Sequence, residues 1–272
     1  MKQVCVIGDY GKTSTRNAKV IGHIKMADPD LEVIEGNHYI PSGSYNIGAS
    51  MLYMIIPFFP KETIVFTSMD EQCDTYVAAV MEDGQIAVCS DNGVMTVISK
   101  VLKIKDYYVL NSHSELETAD LIGKMACGTA VGECGHKVDV SELTMLPWPE
   151  PIIEKGYVEG CIFMVKMFGN CTINVSYGQF EDAGFEPGDL VHMEVIREGE
   201  TLFDGIVPVC QSFGFVGEGE PLIFNGSSGF MDFGLNRDNF VLKHFPGLVN
   251  ELDHCDIYKV RLTMSEKGGH GR

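Results

Sequence analysis

Residues 146–151 read LPWPEP. Three prolines in five residues continue neither a helix nor a central strand, because each lacks an amide donor and fixes its own φ. The texture of the chain differs on the two sides of this segment. That difference predicts an α/β domain over residues 1–146 and a β-rich domain over residues 152–272.

Upstream, apolar runs alternate with helical patterns. Val4–Ile7, Leu31–Glu35, Thr63–Ser68, Val77–Met81 and Gln85–Cys89 read as strands. Asn17–Met26, Gly48–Phe58, Gly93–Val101 and Thr118–Cys127 read as helices. Such alternation predicts a central, mainly parallel sheet with flanking helices. Downstream, VEGCIFMVKMFGN (158–170), CTINVSY (171–177), DLVHMEVIRE (189–198), EPLIFNGSSGFMDFG (220–234) and DIYKVRLTM (256–264) are short strands with closely spaced turn signals. That spacing is the pattern of a small antiparallel β-barrel or sandwich.

The 272 residues suit one large domain or two modest ones, and a 45% hydrophobic content with 15 Phe and 10 Tyr supports packed cores. A net charge of −18 argues against nucleic acid and anionic membrane as partners, since both need clustered Lys and Arg. Nothing is long and apolar enough to span a bilayer, and the apolar part of MKQVCVIGDYG is too short for a signal peptide. The nine Cys are odd in number and lack a C-x-x-C, so they read as reduced core thiols of a cytoplasmic protein, with no metal site. The tail EKGGHGR reads as disordered.

Several short segments carry chemistry. Asp9, in IGDYG, follows a predicted buried strand. It either makes a turn or helix cap, or faces the sheet edge where ligands of open α/β folds bind. Asp70 ends a second such run, TIVFTSMD, and is either a loop aspartate or half of a shared cleft. Asp91-Asn92-Gly93 is a tight-turn sequence. His113 and Ser114 precede a helix, where Ser and Glu can form a capping box and His can act as a base or an orienting group. In MFGNCTINV, Phe168 offers a flat apolar face, and Asn170 and Asn174 offer paired donors and acceptors to a purine edge; a plain turn is the alternative. NGSSGFMDFG either cradles a carboxylate or amine or makes a hairpin.

In order and spacing, these segments resemble the S-adenosyl-L-methionine (SAM) hydrolases that form adenosine, also called SAM hydroxide adenosyltransferases, which share a fold with fluorinase and chlorinase. IGDYG resembles the family's strand ending in Asp-Phe-Gly. NHYIPSGSYNIGASMLYMIIPFFPKETIVF (37–66) resembles its His-x-Ile, helix and Pro-x-Gly-Thr-Val stretch. SDNGVMT resembles Pro-Asp-Asn-Gly-Leu-Leu-Thr, and HSELETADLIGKMACG keeps the length and Gly end of its His-Gly-Arg-Asp segment. PWPEP with EGCIFMVKMFGNCTIN resembles the family's linker and Phe-Gly-Asn-x-x-Thr-Asn strand. EGEPLIFNGSSGFMDFGLN resembles its Gly-Ser-Ser-Gly-x-Leu-Glu-Ile turn.

The resemblance implies that water attacks ribose C5′ of SAM, with methionine leaving, and that SAM is a substrate and no cofactor is used. It implies that Asp9 takes the ribose hydroxyls, that Phe168 and Asn170 line the purine, and that Ser227 and Ser228 hold the methionine end. Ser114 would also touch substrate, and Asp70 and His113 would surround the attacking water. It further implies a homotrimer with sites formed between the N-domain of one subunit and the C-domain of the next.

Three features depart from the family. Asp70 is followed by EQCDTYVAAV, without the family's nearby Arg, and no Arg occurs between Arg16 and Arg197. Val165 or Lys166 stands where the family places an Asp that meets the methionine ammonium, and a cation there would repel that group. HSEL stands for His-Gly-Arg-Asp. These departures keep two alternatives open: a SAM- or adenosine-binding protein without turnover, and an enzyme for another 5′-substituted adenosine. A halide-using transferase ranks below both, because a carboxylate at position 70 would repel an anion.

Overall fold

A computed structural model describes residues 3–247 and 257–266. Cys255 and most of the EKGGHGR tail lie outside the described residues. The chain divides into two compact units, Met1–Leu146 and Pro147–Arg272.

The first unit runs β1 (Val4–Gly8), α1 (Arg16–Met26), β2 (Val33–Glu35), α2 (Tyr45–Ile55), β3 (Ile64–Ser68), β4 (Tyr76–Met81), β5 (Ile86–Ser90), α3 (Thr96–Val101), β6 (Ile104–Leu110), α4 (Glu115–Ala126), α5 (Val131–Cys134) and β7 (Gly135–Val138). Its seven strands lie in the order β2-β1-β3-β5-β4-β6-β7. β1 pairs in parallel with β2 and β3, and β3 with β5. β4 is antiparallel to both β5 and β6, and β7 is antiparallel to β6. Five strands therefore point the same way, and the carboxyl ends of β1, β3, β5 and β6 share one edge.

Every residue of β1, β3 and β5 is buried, as expected for strands covered on both faces. Side chains alternate across the sheet. Val4, Val6 and Phe66 pack with Val20 and Ile24 of α1 and Ile122 of α4. Cys5, Ile7 and Val65 pack on the other side with Leu52 of α2 and Ile98 of α3. Full burial of one such aliphatic or aromatic side chain contributes about 1.5–3 kcal/mol.

Three predicted helix starts shift by three residues, that of α2 from Gly48 back to Tyr45. α3 begins at Thr96, because Gly93 holds φ at +97°. α4 begins three residues earlier than its apolar pattern, because the Ser114 hydroxyl caps the Glu117 amide and Glu117 returns to the His113 amide. β6, α5 and β7 were not expected.

The second unit runs β8 (Ile152–Glu154), β9 (Tyr157–Val165), β10 (Cys171–Ser176), α6 (Tyr177–Asp182), β11 (Leu190–Arg197), β12 (Glu200–Cys210), β13 (Pro221–Asn225), β14 (Phe230–Leu235), α7 (Phe240–His244) and β15 (Tyr258–Glu266). The strand order is β10-β14-β13-β12-β11-β15-β9-β8, and β10 also pairs with β9, so seven strands close into a barrel. Closure removes free edges. Its pairings are antiparallel except β12 with β13, which is parallel. Residues such as Ile173, Val195, Val209 and Phe233 fill the barrel, with Phe180 stacked on Phe185 at 4.6 Å.

Candidate functional site

In the first unit the chemistry gathers at the shared carboxyl edge. Asp9 follows β1, and its side chain is 3% exposed. It caps no helix: the N-cap of α1 is Thr15. Its Oδ1 instead accepts from Nη1 of Arg16 at 3.2 Å, and its Oδ2 from the backbone N–H of Asp70 at 3.4 Å. A carboxylate has about four acceptor positions, so two remain for a ligand.

Arg16 opens α1. Its Nε and Nη2 donate to the two oxygens of Glu115 at 3.3 and 2.9 Å, and Glu71 lies 3.8 Å from Nε. Its guanidinium lies over the Tyr10 ring at 5.0 Å. Burial alone would lower the Arg16 pKa, but the hydrogen bonds and charge of Glu115, then the charges of Asp9 and Glu71, raise it overall. Glu115 also accepts from the Ser68 hydroxyl at the end of β3. Burial, followed by the charge of Glu115, holds the Tyr10 phenol firmly protonated.

Asp70 lies two residues past β3 and is half-buried, with φ at +68°, a left-handed conformation uncommon for a residue with a side chain. Its Oδ1 accepts from the Gln72 amide at 3.0 Å and its Oδ2 from the Tyr45 hydroxyl at 3.4 Å. The Met69 carbonyl before it is held by the Ser90 hydroxyl at 2.6 Å and the Asn92 amide at 3.3 Å. The turn at Asp91-Asn92-Gly93 thus braces the Asp70 loop. Non-glycine residues in such conformations persist only when their surroundings over-determine them, and they cluster at functional sites.

Asp9 and Asp70 are therefore brought together. His113 is exposed beyond β6, and its imidazole has no hydrogen bond to another described residue. Ser114 serves as the N-cap of α4. No ion pair between Asp70 and an arginine is found among the described residues; Arg16 reaches the same edge from α1, where its ion pairs are to Asp9, Glu71 and Glu115.

In the second unit, β9 turns into β10 through residues 166–170. Gly169 has φ at +80°, and a Cβ there would lie 2.0 Å from Oδ1 of Asn239, so only glycine fits. The turn exposes Phe168, which is 71% accessible. Phe168 and Asn170 line a cavity of about 620 Å³, with Phe213, Asn236, Arg237 and Asp238 completing the wall. That volume is within the range of small-molecule sites. Phe213, Asn236 and Asp238 were not singled out from the sequence. An Asn-Arg-Asp-Asn run after a strand was the available signal.

Asn174, the other asparagine of the motif, is structural. Its Oδ1 accepts from the Cys161 amide at 2.7 Å and its Nδ2 donates to the Pro149 carbonyl at 2.5 Å. Ser227 and Ser228 lie in the turn between β13 and β14, with Ser227 exposed and Ser228 buried. A Cβ on neighbouring Gly226 would lie 2.6 Å from the Asp232 carboxylate. Asp232 is 1% exposed and is held by the Lys166 ammonium and, at 2.6 Å, by the Thr172 hydroxyl. Burial raises its pKa, and Lys166 and Thr172 oppose that rise. Lys166 is therefore a paired charge.

Among the described residues, no group of three or more His, Cys, Asp or Glu is arranged to hold a metal ion. No described helix is long and apolar enough to cross a membrane.

Comparison with known proteins adds to this geometry. The chain is similar to a crystal structure of an uncharacterized conserved protein from Thermotoga maritima, with a TM-score of 0.79 at 19% identity over 96% of this chain and 100% of that one. A conserved hypothetical protein from Thermus thermophilus gives 0.73 at 23% identity over the same shares. These likenesses concern the fold. In sequence, the chain is 24% identical to the (R)-S-adenosyl-L-methionine hydrolase of Thermus thermophilus, over 87% of this chain and 93% of that one. It is 22% identical to the fluorinase of an Actinoplanes species, over 86% and 90%. Residues 4–138 match the SAM hydroxide adenosyltransferase N-terminal domain, and residues 160–244 match the corresponding C-terminal domain. With both domains matched in order across most of its length, this chain belongs to the SAM hydroxide adenosyltransferase family.

Proposed function

We propose that the protein hydrolyses SAM to adenosine and L-methionine. The observation that carries this reading is the left-handed Asp70, whose carboxylate sits at the sheet edge between the Tyr45 hydroxyl and the Gln72 amide, beside Asp9. Water attacks ribose C5′ in line, a C5′–O bond forms, and the C5′–S bond breaks with its electron pair going to sulfur. The sulfonium becomes a neutral thioether, so the leaving group needs no general acid. Asp70 accepts the proton released by water, and His113 orients that water. Asp9 takes the ribose diol, Ser114 also touches the substrate, Phe168 and Asn170 receive the purine, and Ser227 and Ser228 receive the methionine end. The anionic Asp70 favours water over a halide at the same place.

Such an enzyme assembles as a homotrimer, with each site completed by a second subunit. Light scattering showing a stable monomer with full ligand affinity would overturn the assembly. Incubation with SAM in ¹⁸O-water should release methionine and place the label at O5′ of adenosine. Protein that binds SAM yet releases neither product over hours would defeat the hydrolase reading and leave a SAM- or adenosine-binding protein.

A second reading has one observation in its favour. The carboxylate beside the Gly226–Gly229 turn, Asp232, is already neutralised by Lys166. That arrangement suits a 5′-substituted adenosine without an α-ammonium group. Comparing turnover of SAM with that of neutral 5′-thioadenosines separates the two.

A further inference from the structure

We infer that Arg16 is the positioning residue for Asp70 and acts on it through Asp9. The inference rests on the proposed function for its catalytic consequence, but its structural half stands on contacts within the first unit. Arg16 is the first residue of α1, and its guanidinium is 15% exposed. Two of its nitrogens grip both oxygens of Glu115, which fixes the fork in a plane. The third nitrogen is thereby aimed at Oδ1 of Asp9. The other oxygen of Asp9 receives the Asp70 amide, the only backbone donor that residue offers. At φ +68° the direction of the Asp70 amide fixes that of its Cα–Cβ bond, and the Gln72 amide and Tyr45 hydroxyl then hold the carboxylate.

The same Glu115 receives the Ser68 hydroxyl two residues earlier. The end of β3 is thus fastened at two points to one guanidinium-centred cluster drawn from β1, α1 and α4. Arg16 also holds two buried carboxylates together, since the side chains of Asp9 and Glu115 are 3% and 7% exposed. Without it they would repel each other, and the acceptor that holds the Asp70 amide would move. Lysine cannot substitute, because a single ammonium cannot fork onto Glu115 and reach Asp9 in one plane.

The test uses wild type, Arg16→Lys, Arg16→Ala and Glu115→Gln. Arg16→Lys and Glu115→Gln keep a polar side chain of similar length and guard against simple unfolding, which thermal denaturation monitors. Two readouts are taken. The first is hydrogen exchange over residues 69–72, with β5 (Ile86–Ser90) as internal control. Local opening should speed exchange there by about tenfold or more in both Arg16 variants and leave β5 unchanged. The second is turnover of SAM. kcat should fall about 100-fold with KM changed far less, as for a small misplacement of a reacting group, and guanidinium ions should partly restore kcat in Arg16→Ala. Unchanged exchange over residues 69–72 in both Arg16 variants would overturn the inference. If the wild type turns over no SAM, the hydrolase reading fails, and the exchange measurement still decides whether Arg16 positions Asp70.

Discussion

The Lys166 ammonium rests on the carboxylate of Asp232, a β14 residue 66 positions further along the chain and 1% exposed. A charge that reads as repulsive in the sequence is thus neutralised in the fold, and its partner is shielded from water.

Lys166→Met should destabilise the protein by about 3–5 kcal/mol, because it leaves Asp232 buried without its cation. Adding Asp232→Asn should recover most of the loss. Urea denaturation of the single and double variants measures both. Equal stabilities of wild type and Lys166→Met would show that the pair contributes nothing.

Asp9→Ala should weaken adenosine more than adenine. Losing charge-assisted hydrogen bonds to the ribose diol costs roughly 1.5–3 kcal/mol. Calorimetry with both ligands tests this, and equal losses would restrict Asp9 to its contacts with Arg16 and Asp70.

Asp70→Asn should keep nucleoside affinity and lose turnover by about 100- to 10,000-fold, since the amide cannot take a proton from water at neutral pH. His113→Ala should reduce the rate by less. Steady-state kinetics beside adenosine calorimetry checks the split. An Asp70→Asn variant with full activity would remove the general base.

Phe168→Ala should reduce adenosine affinity by about 1–3 kcal/mol, the range for stacking of one base on an aromatic ring. Because Phe168 is so exposed, the melting temperature should hold. Unchanged affinity would place the purine elsewhere.

Stability should fall as pH drops from about 7 toward 5, in part through His38. Burial lowers its pKa, only partly opposed by Glu35, whose carboxylate lies 3.6 Å from Nε2. Below the ordinary histidine value the unfolded chain binds a proton that the folded chain resists, so this contribution is present above that value and is lost as pH falls through the lowered one. Thermal melts of wild type and His38→Gln from pH 5 to 7.5 should show a shallower slope in the variant. Parallel curves would assign the effect to other groups.

Much of the fold was legible locally. Full burial of β1, β3 and β5 shows as short apolar runs, and the prolines of 147–151 mark the break between textures. The longest strand, β12, carries no clean alternation in the sequence, because Gly205 and Pro208 lie within it and the apolar Ile206 faces outward. Pro208 lies at the last register position of the β11–β12 ladder, opposite Leu190, before β12 passes to β13, and at a ladder end its missing N–H interrupts no run of pairing.

The candidate site divides along the same line. Asp9, Asp70, Phe168 and Asn170 follow strands or fill turns, and runs of a few residues reveal such positions. Arg16 and Glu115 are 99 residues apart, and Asp9 and Asp70 are 61 apart. No periodicity links such pairs. Turn chemistry and alternation act between neighbours, whereas the partner of a buried charge is chosen by which strand ends and helix starts the sheet order brings to one edge. Only the folded chain, with β1 beside β3 and α1 against α4, places one guanidinium among three carboxylates.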